Sequence, residues 1–284
     1  MQEFKVRVAP SIGELERTFE EAWDLETYNP ETDQNEPTVF VGLYGLPDFF
    51  ALWRHKGEKY IFWCGSDIRH FKKGYWLDDN EWGARLDYKP LANWINKHCK
   101  SWVENELEMQ VLAWLGIKAN ICPSFLGDIS KYDISYKWSN KPKVYTSVSG
   151  DDFELYGWDK IPKLAKENPD MEFHCYGTSS YIPLMEFQNV FIHGRVPKEK
   201  MNEEIKNMQG ALRLVEFEGF SEIVAKSILW GQWPISLIEY PFMLSIDGNG
   251  LELLKNKKEP NVEGREYYFK ILNQFPWKNT KSPF

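Results

Sequence analysis

The 284-residue chain has little of what marks a disulfide-stapled, metal-clasped or membrane-spanning protein. Its four cysteines, Cys64, Cys99, Cys122 and Cys175, are scattered, with no CxxC pair and no histidine at ligand spacing. Free thiols in a reducing compartment are expected rather than disulfides or zinc. No apolar run approaches the roughly 18 residues that span a bilayer. Positive charge is also short: 34 Lys and Arg against 42 Asp and Glu leave a net charge of −8. Proteins that live on a phosphate backbone carry the opposite footprint, which disfavours nonspecific nucleic-acid binding. The short basic clusters, Lys72–Lys73, Lys141 with Lys143, and Lys255, Lys257 and Lys258, read as solvated surface. The five histidines form no Ser/His/Asp or metal grouping. His193 follows a strand and faces the expected ligand side, whereas His55, His70, His98 and His174 have no partner pattern. No early GxGxxG argues for a dehydrogenase-like dinucleotide site. The opening MQEFKVRVAP runs straight into a strand pattern without an apolar leader, so a cytoplasmic protein is expected.

What the chain has is aromatic surface: 13 Trp, 14 Tyr and 18 Phe, more than a minimal core needs. Most fill the core, and an excess of flat rings is the material that lines clefts for sugars and bases. The length suits one large domain or two compact ones, at roughly 100–200 residues each.

Short apolar runs alternate with helical patterns, the signature of a βα-repeating fold. In the first half, strands are expected at Phe4–Val8, Thr38–Val41, Lys59–Cys64, Cys99–Val103 and Ile117–Pro123. Helices are expected over Ser11–Leu25, from Pro47, over Leu91–Lys97 and over Glu104–Leu115, with Ser11 and Glu14 as a capping box. Lys72–Tyr88 shows no period. Gly127 and Pro142 bracket a polar linker that includes Ser135–Lys141. The alternation then restarts, with strands at Lys143–Val148, Glu172–Tyr176, Val190–His193, Leu212–Val215 and Ile235–Ile238. Helical patterns cover Trp158–Glu167, Pro197–Met208, Ser221–Trp230 and, in the tail, Arg265–Phe275. The expected fold class is α/β, with two Rossmann-like doubly wound domains facing a cleft: an N-terminal domain over 1–135, a C-terminal domain over 143–245 and a tail over 246–284. In such sheets ligands sit outside the carboxyl ends of the strands. That singles out Tyr44–Gly45, Gly65–Ser66–Asp67, Ser149–Gly150–Asp151, Tyr176–Gly177, Gly194–Arg195 and Glu216–Phe220.

The segment Val215-Glu216-Phe217-Glu218-Gly219-Phe220-Ser221 carries the most chemistry. A strand enters a tight turn at Gly219, and a helix starting at Ser221 aims unpaired N–H groups at whatever lies before it, a ready site for a diphosphate. Glu218 at the mouth has a carboxylate for sugar hydroxyls, and Glu222 and Lys226 follow at helical spacing, so the three are expected on one face. Read alone, the same residues fit an ordinary βα turn with a solvated Glu and Lys.

In order, Gly194-Arg195-Val196, a helix, a strand, Glu218-Gly219-Phe220-Ser221, a second helix and Gly231-x-Trp233-Pro234 resemble the C-terminal half of GT-B glycosyltransferases, in particular the large retaining group called family four. The resemblance covers about residues 143–240. It implies that Glu218 meets the donor sugar, that Gly219, Phe220, Ser221 and Glu222 form the donor loop and helix start, and that Gly194 and Arg195 lie beside the donor. Ser221 replaces the usual Gly, and the second acidic position, which in that family holds the donor ribose, is here Lys226. The basic residue after the first strand of this half is absent, leaving Lys226, Arg195 or Arg213 to neutralise a diphosphate; Arg213 fits a structural ion pair equally well. In the N-terminal half, Gly42-Leu43-Tyr44-Gly45 resembles the acceptor-side loop, and Gly65-Ser66-Asp67 keeps the Gly and Asp of a family strand end. Tyr44, Gly45, Gly65 and Ser66 are thus implied on the acceptor side, and Asp67 is implied to orient the acceptor hydroxyl or the donor sugar, with capping of the next segment as its plain alternative. The tail resembles the helix that crosses back to the N-terminal domain.

The resemblance implies transfer of a sugar from a nucleoside diphosphate sugar to a hydroxyl acceptor with retention, without metal or other cofactor. The acceptor expected first is a small molecule or glycan, with a hydroxymethylated base in DNA as the minority reading. The rival classes are a catalytically inactive GT-B binding protein, favoured by Lys226, and another nucleotide-using α/β enzyme such as an epimerase.

Overall fold

Fourteen strands and ten α-helices alternate along the residues that the computed structural model describes, 4–76, 85–150, 152–178, 182–184 and 186–278. Asp151 and the middle of the 72–88 stretch lie outside these. The chain divides into two units: unit 1 comprises 1–127, 217–220 and 271–284, and unit 2 comprises 128–216 and 221–270.

Unit 1 contains β1 (Lys5–Val8), β2 (Glu26–Thr27), β3 (Thr38–Val41), β4 (Lys59–Phe62), β5 (Tyr75–Trp76), β6 (Arg85–Leu86), β7 (Cys99–Val103) and β8 (Ala119–Ile121). Six of them form one sheet in the order β2-β1-β3-β4-β7-β8, every neighbouring pair parallel. All four residues of β3 are buried, as expected for a central strand covered on both faces. The covering helices are α1 (Glu16–Trp23), α2 (Leu46–Arg54), α3 (Ser66–Lys73), α4 (Tyr88–His98) and α5 (Glu106–Trp114).

One face buries Phe40, Leu52, Ile61, Trp63, Ile68 and Phe71. The other buries Trp23, Phe62, Phe275 and Trp277. Phe275 and Trp277 follow α10 (Val262–Ile271), so the chain's return to unit 1 is made by the segment after that helix. The rings of Phe275 and Trp277 stack at 4.7 Å, and Trp277 meets Trp23 at 5.6 Å and Trp102 at 5.0 Å. Burying one such aromatic is worth several kcal/mol.

The capping box expected at Ser11 is not formed. Pro10 opens a 3-10 segment, Pro10–Leu15, that breaks at Ile12, and α1 starts only at Glu16. Helix α3 has no counterpart in the sequence reading. It places Asp67, Ile68 and Phe71 inward, a stripe too short to show a period.

Unit 2 contains β9 (Lys143–Ser147), β10 (Glu172–Tyr176), β11 (Val190–Gly194), β12 (Gly210–Arg213), β13 (Ile235–Ser236) and β14 (Leu244–Ser245), in the parallel order β11-β10-β9-β12-β13-β14. Its helices are α6 (Ile161–Glu167), α7 (Lys198–Ile205), α8 (Glu222–Leu229), α9 (Gly250–Lys255) and most of α10. From β9 the chain winds outward to β11, then returns to β12 on the other side and winds outward to β14. The reversal between β9 and β12 is the topological switch point, where connections diverge and leave a crevice at the strands' carboxyl ends. No helix among the described residues is long and apolar enough to cross a membrane.

Candidate nucleotide pocket and the Glu218 loop

At the carboxyl ends of β9, β10 and β11, to one side of that switch point, unit 2 holds a pocket of about 340 Å³ lined by Ser147 at the end of β9 and Val148–Gly150 after it, Tyr176 and Gly177 at the end of β10, Arg195 and Val196 after β11, and Met201 on α7. Gly177 shapes it. Its φ is +111°, and a Cβ there would lie 2.1 Å from the carbonyl oxygen of Val148, so only glycine lets the two strand ends approach this closely. Arg195 is exposed, and its Nε donates to Gly177 O at 3.1 Å, which fixes the guanidinium at the rim. The phenol of Tyr176 donates to Glu204 Oε2 at 2.8 Å, and its ring stacks on His193 at 4.4 Å.

Of the three cations considered for a diphosphate, Arg195 lines this pocket and the other two are engaged. Arg213 donates to Ser147 O at 3.3 Å and lies over the Tyr156 ring. Lys226 is buried, with its side chain 5% exposed, and sits 3.0 Å from Glu222 Oε1, which Lys198 also meets at 3.0 Å. Burial lowers the Lys226 pKa, with Glu222 opposing. Burial works the other way on Glu222, but Lys226 and Lys198 outweigh it and hold that carboxyl low. Glu222 and Lys226 do share a face of α8. Glu218 does not, because the helix begins only at Glu222, after Ser221 as N-cap.

Histidine pairing went unread in the sequence. His193 lies within β11, and its Nε2 is 2.9 Å from Nδ1 of His174 on β10. His174 Nε2 is 3.4 Å from Glu172, which also takes Lys141 and Lys143 at 3.0 Å each. Burial, reinforced by His193, pushes His174 down to about 4. The pairing depends on strand register, with an irregularity between Cys175 and Tyr176, which spacing along one strand does not reveal.

Residues 217–220 pack in unit 1. Arg69 donates to Phe217 O at 2.9 Å, Asn105 Nδ2 donates to Glu218 O at 2.7 Å, and the Phe220 N–H donates to Glu104 Oε2 at 2.9 Å. A Cβ on Gly219 would fall 1.8 Å from Glu104 Oε2, and one on Gly65 would lie 3.0 Å from Gly219 N. Both glycines of the sequence motifs therefore serve the same close approach. Glu104, Asn105 and Arg69 were not among the expected site residues: a buried acid and an exposed one look alike in sequence.

The residues that the resemblance implies on the acceptor side cluster at the carboxyl ends of β3 and β4. Tyr44 OH is 2.8 Å from Ser66 Oγ, Gly45 is the N-cap of α2, and Gly65, at φ +74°, is the N-cap of α3. Asp67 is fully buried, taking Leu43 N on Oδ2 and Cys64 N on Oδ1 at 2.9 Å each. Burial raises it to about 6 against these hydrogen bonds. The geometry gives Asp67 the work of tying two turns together, and the backbone amides of Asp67 and Ile68, at the start of its own helix, also favour its charged form.

No family model matches the sequence, and no curated protein matches it. Solved structures do. S. aureus TarM, in a structure with UDP, α-GlcNAc-glycerol and fondaparinux, superposes with a TM-score of 0.57 at 14% identity, over 84% of this chain and 53% of TarM. Sucrose-phosphate synthase from Thermosynechococcus elongatus gives 0.57 at 11% identity, over 82% of this chain and 69% of that one. Trehalose 6-phosphate synthase from Burkholderia multivorans gives 0.55 at 8% identity, over 90% and 75%.

The fold is GT-B.

The chain spans about half the length of TarM. In this GT-B chain the strand-end residues singled out in unit 2 do converge: Ser149, Gly150, Tyr176, Gly177 and Arg195 line one pocket. Gly194, buried at φ +71°, sets the turn that delivers Arg195.

Proposed function

We propose that this chain is a glycosyltransferase that takes a nucleoside diphosphate sugar in the unit 2 pocket and passes the sugar to a hydroxyl acceptor with retention. The observation that carries the reading is the pocket itself: at the carboxyl ends of β9, β10 and β11 of a doubly wound sheet, narrowed by Gly177 and rimmed by the Arg195 guanidinium. A nucleoside fits between the backbone of Ser147–Gly150 and Tyr176–Gly177, and a guanidinium with N–H groups to spare suits a diphosphate. Catalysis then consists of positioning and of stabilising the departing diphosphate. Glu218 orients the donor sugar, Gly219, Phe220 and Ser221 form its loop and helix start, and Tyr44, Gly45, Gly65 and Ser66 meet the acceptor, a small molecule or glycan. Asp67 holds the acceptor-side turns. The reaction needs no metal or cofactor besides the donor, and its setting is cytoplasmic.

A second reading, a GT-B binding protein without transfer, is favoured by one observation. The position that the family gives to a ribose-holding acid is Lys226, and its charge is already spent on Glu222. DNA as acceptor is the third choice, against which the net charge of −8 stands. A thermal-shift screen of nucleotide sugars followed by an assay for nucleoside diphosphate release separates these. Stabilisation with release supports the transferase, stabilisation without release for any acceptor supports the binder, and no response to any nucleotide overturns both.

A further inference from the structure

Glu104 is the hub of the contacts that fix the Glu218 loop. Its carboxylate is buried and takes three donors: the Ser124 N–H at 3.1 Å and the Ser124 hydroxyl on Oε1, and the Phe220 N–H at 2.9 Å on Oε2. Asn105, the next residue, caps α5 by accepting from Glu108 N at 3.0 Å and turns its amide to Glu218 O. Consecutive residues at the start of α5 thereby hold the loop at Glu218 O and, two residues on, at the Phe220 N–H. Gly219 passes so close to Glu104 Oε2 that no side chain fits between them.

The groups around Glu104 are mostly acids. Glu108 of α5 accepts from Glu104 N at 2.8 Å through Oε2, while its Oε1 is buried with no hydrogen-bond partner. Asp67 of α3, Cys64 before it, Cys122 after β8 and Glu218 of the loop complete the set; Arg69 on Phe217 O and Lys278 beside Cys122 are the nearby cations. Burial, with hydrogen bonds from Ser124 and Phe220 opposing, raises Glu104 to about 7, and burial followed by the Glu104 charge raises Glu108 well above the ordinary range. Two adjacent buried carboxyls cannot both ionise cheaply. Glu108, with an oxygen that accepts nothing, is the one to carry the proton. Glu104, with three donors aimed at it, is the one to carry the charge.

We propose that Glu104 is the positioning residue of the Phe217–Phe220 loop and that its ionised form, rather than its acid form, holds the loop through the Phe220 amide. A hydrogen bond to a charged carboxylate is roughly twice as strong as one to a neutral carboxyl. Proton uptake at Glu104 therefore loosens the loop that carries Glu218. The purpose assigned to the loop, presenting Glu218 to a donor sugar, rests on the proposed function; the coupling between Glu104 and the loop does not.

The test is the amide exchange of Phe220 by NMR between pH 5.5 and 8.5, corrected for intrinsic rates, with no nucleotide present. In the native chain the protection is expected to fall several-fold as pH drops through about 7. Glu104→Gln offers one acceptor where donors arrive at two oxygens, so protection at pH 8.5 is expected to fall at least tenfold and to lose its pH dependence. Ser124→Ala, which keeps the acid and only removes a donor to the charged form, is expected to keep the loop protected at pH 8.5 and to move the midpoint upward. Protection that is flat across the range in the native chain, or a midpoint unmoved in Ser124→Ala, overturns the proposal. Failure to bind any nucleotide sugar would overturn the proposed function and leave these readings standing.

Discussion

Lys226 Nζ and Lys198 Nζ converge on one oxygen, Glu222 Oε1, each at 3.0 Å, and of the three side chains Lys226 is nearly sealed, at 5% exposed, while Glu222 is half open at 49%. The pair is asymmetric: Glu222 can be hydrated if it loses a lysine, but Lys226 without Glu222 is a buried charge left with only the weaker pull of Glu199. Glu222→Gln is expected to destabilise unit 2 by about 1–3 kcal/mol at pH 7, at the lower end for a broken buried pair because one partner reaches water. Lys226→Met is expected to cost less than about 1.5 kcal/mol. The folded pKa of Lys226 lies below its unfolded value, so the unfolded chain binds the proton more tightly and the deficit of Glu222→Gln shrinks as pH rises. Thermal unfolding of both variants at pH 7 and 9.5 checks this; a more damaging Lys226→Met contradicts it.

The two units are expected to respond to pH in opposite directions. In unit 1, burial raises Asp67 to about 6 and Glu104 to about 7, and holds Glu108 well above the ordinary carboxylate range. These folded values exceed the unfolded ones, so their stabilising contribution is complete near pH 4 and is lost as pH rises through 6 to 7. In unit 2, His174 is depressed to about 4 from 6.5, so its contribution is complete above pH 6.5 and is lost as pH falls toward 4. Between pH 7.5 and 5, amide protection, corrected for intrinsic exchange rates, is expected to rise in β3 and to fall in β10 and β11. Changes of the same sign in both would contradict the assignment.

Trp277 closes the core of unit 1 from the far end of the chain, fully buried against Trp23, Tyr60 and Trp102. Trp277→Ala is expected to destabilise unit 1 by about 3–5 kcal/mol, measured as a shift in its denaturant midpoint. A loss under 1 kcal/mol would mean that the tail does not dock.

Gly177 and Gly150 both have positive φ and both line the pocket, but only Gly177 is crowded. Gly177→Ala adds a Cβ 2.1 Å from Val148 O and is expected to cost about 2–4 kcal/mol and to weaken nucleotide binding at least tenfold. Gly150→Ala meets nothing within 4 Å and is expected to cost only about 1 kcal/mol of backbone strain, with binding kept within about threefold. Equal losses at the two positions would rule out the pocket geometry described above.

Much of this was legible in the sequence. Most strands of the two sheets are apolar runs closed by turn residues, with β2 (Glu26–Thr27) a polar exception, and the placement of the pocket-lining residues after strands followed from the sheet type alone. Ser149, Gly150, Tyr176, Gly177 and Arg195 were reached by that route. What stayed hidden depends on contacts between distant segments. Glu104 is 116 residues from Phe220, and nothing in its neighbourhood marks it as buried. The partnership of His174 and His193 needs the register of two parallel strands. Helix α3 was missed because Asp67 occupies an inward position that pattern reading reserves for apolar residues, and the lysine at 226 was readable as a departure but its pairing with Glu222 was not.

The central claim, that the unit 2 pocket takes a nucleoside diphosphate, is tested most directly by calorimetric titration of UDP, GDP and ADP into the native chain and into Arg195→Ala. The expected result is saturable binding of at least one of the three to the native chain and an affinity at least tenfold weaker in Arg195→Ala, with its unfolding temperature unchanged. Binding of none, or binding that Arg195→Ala leaves untouched, would contradict it.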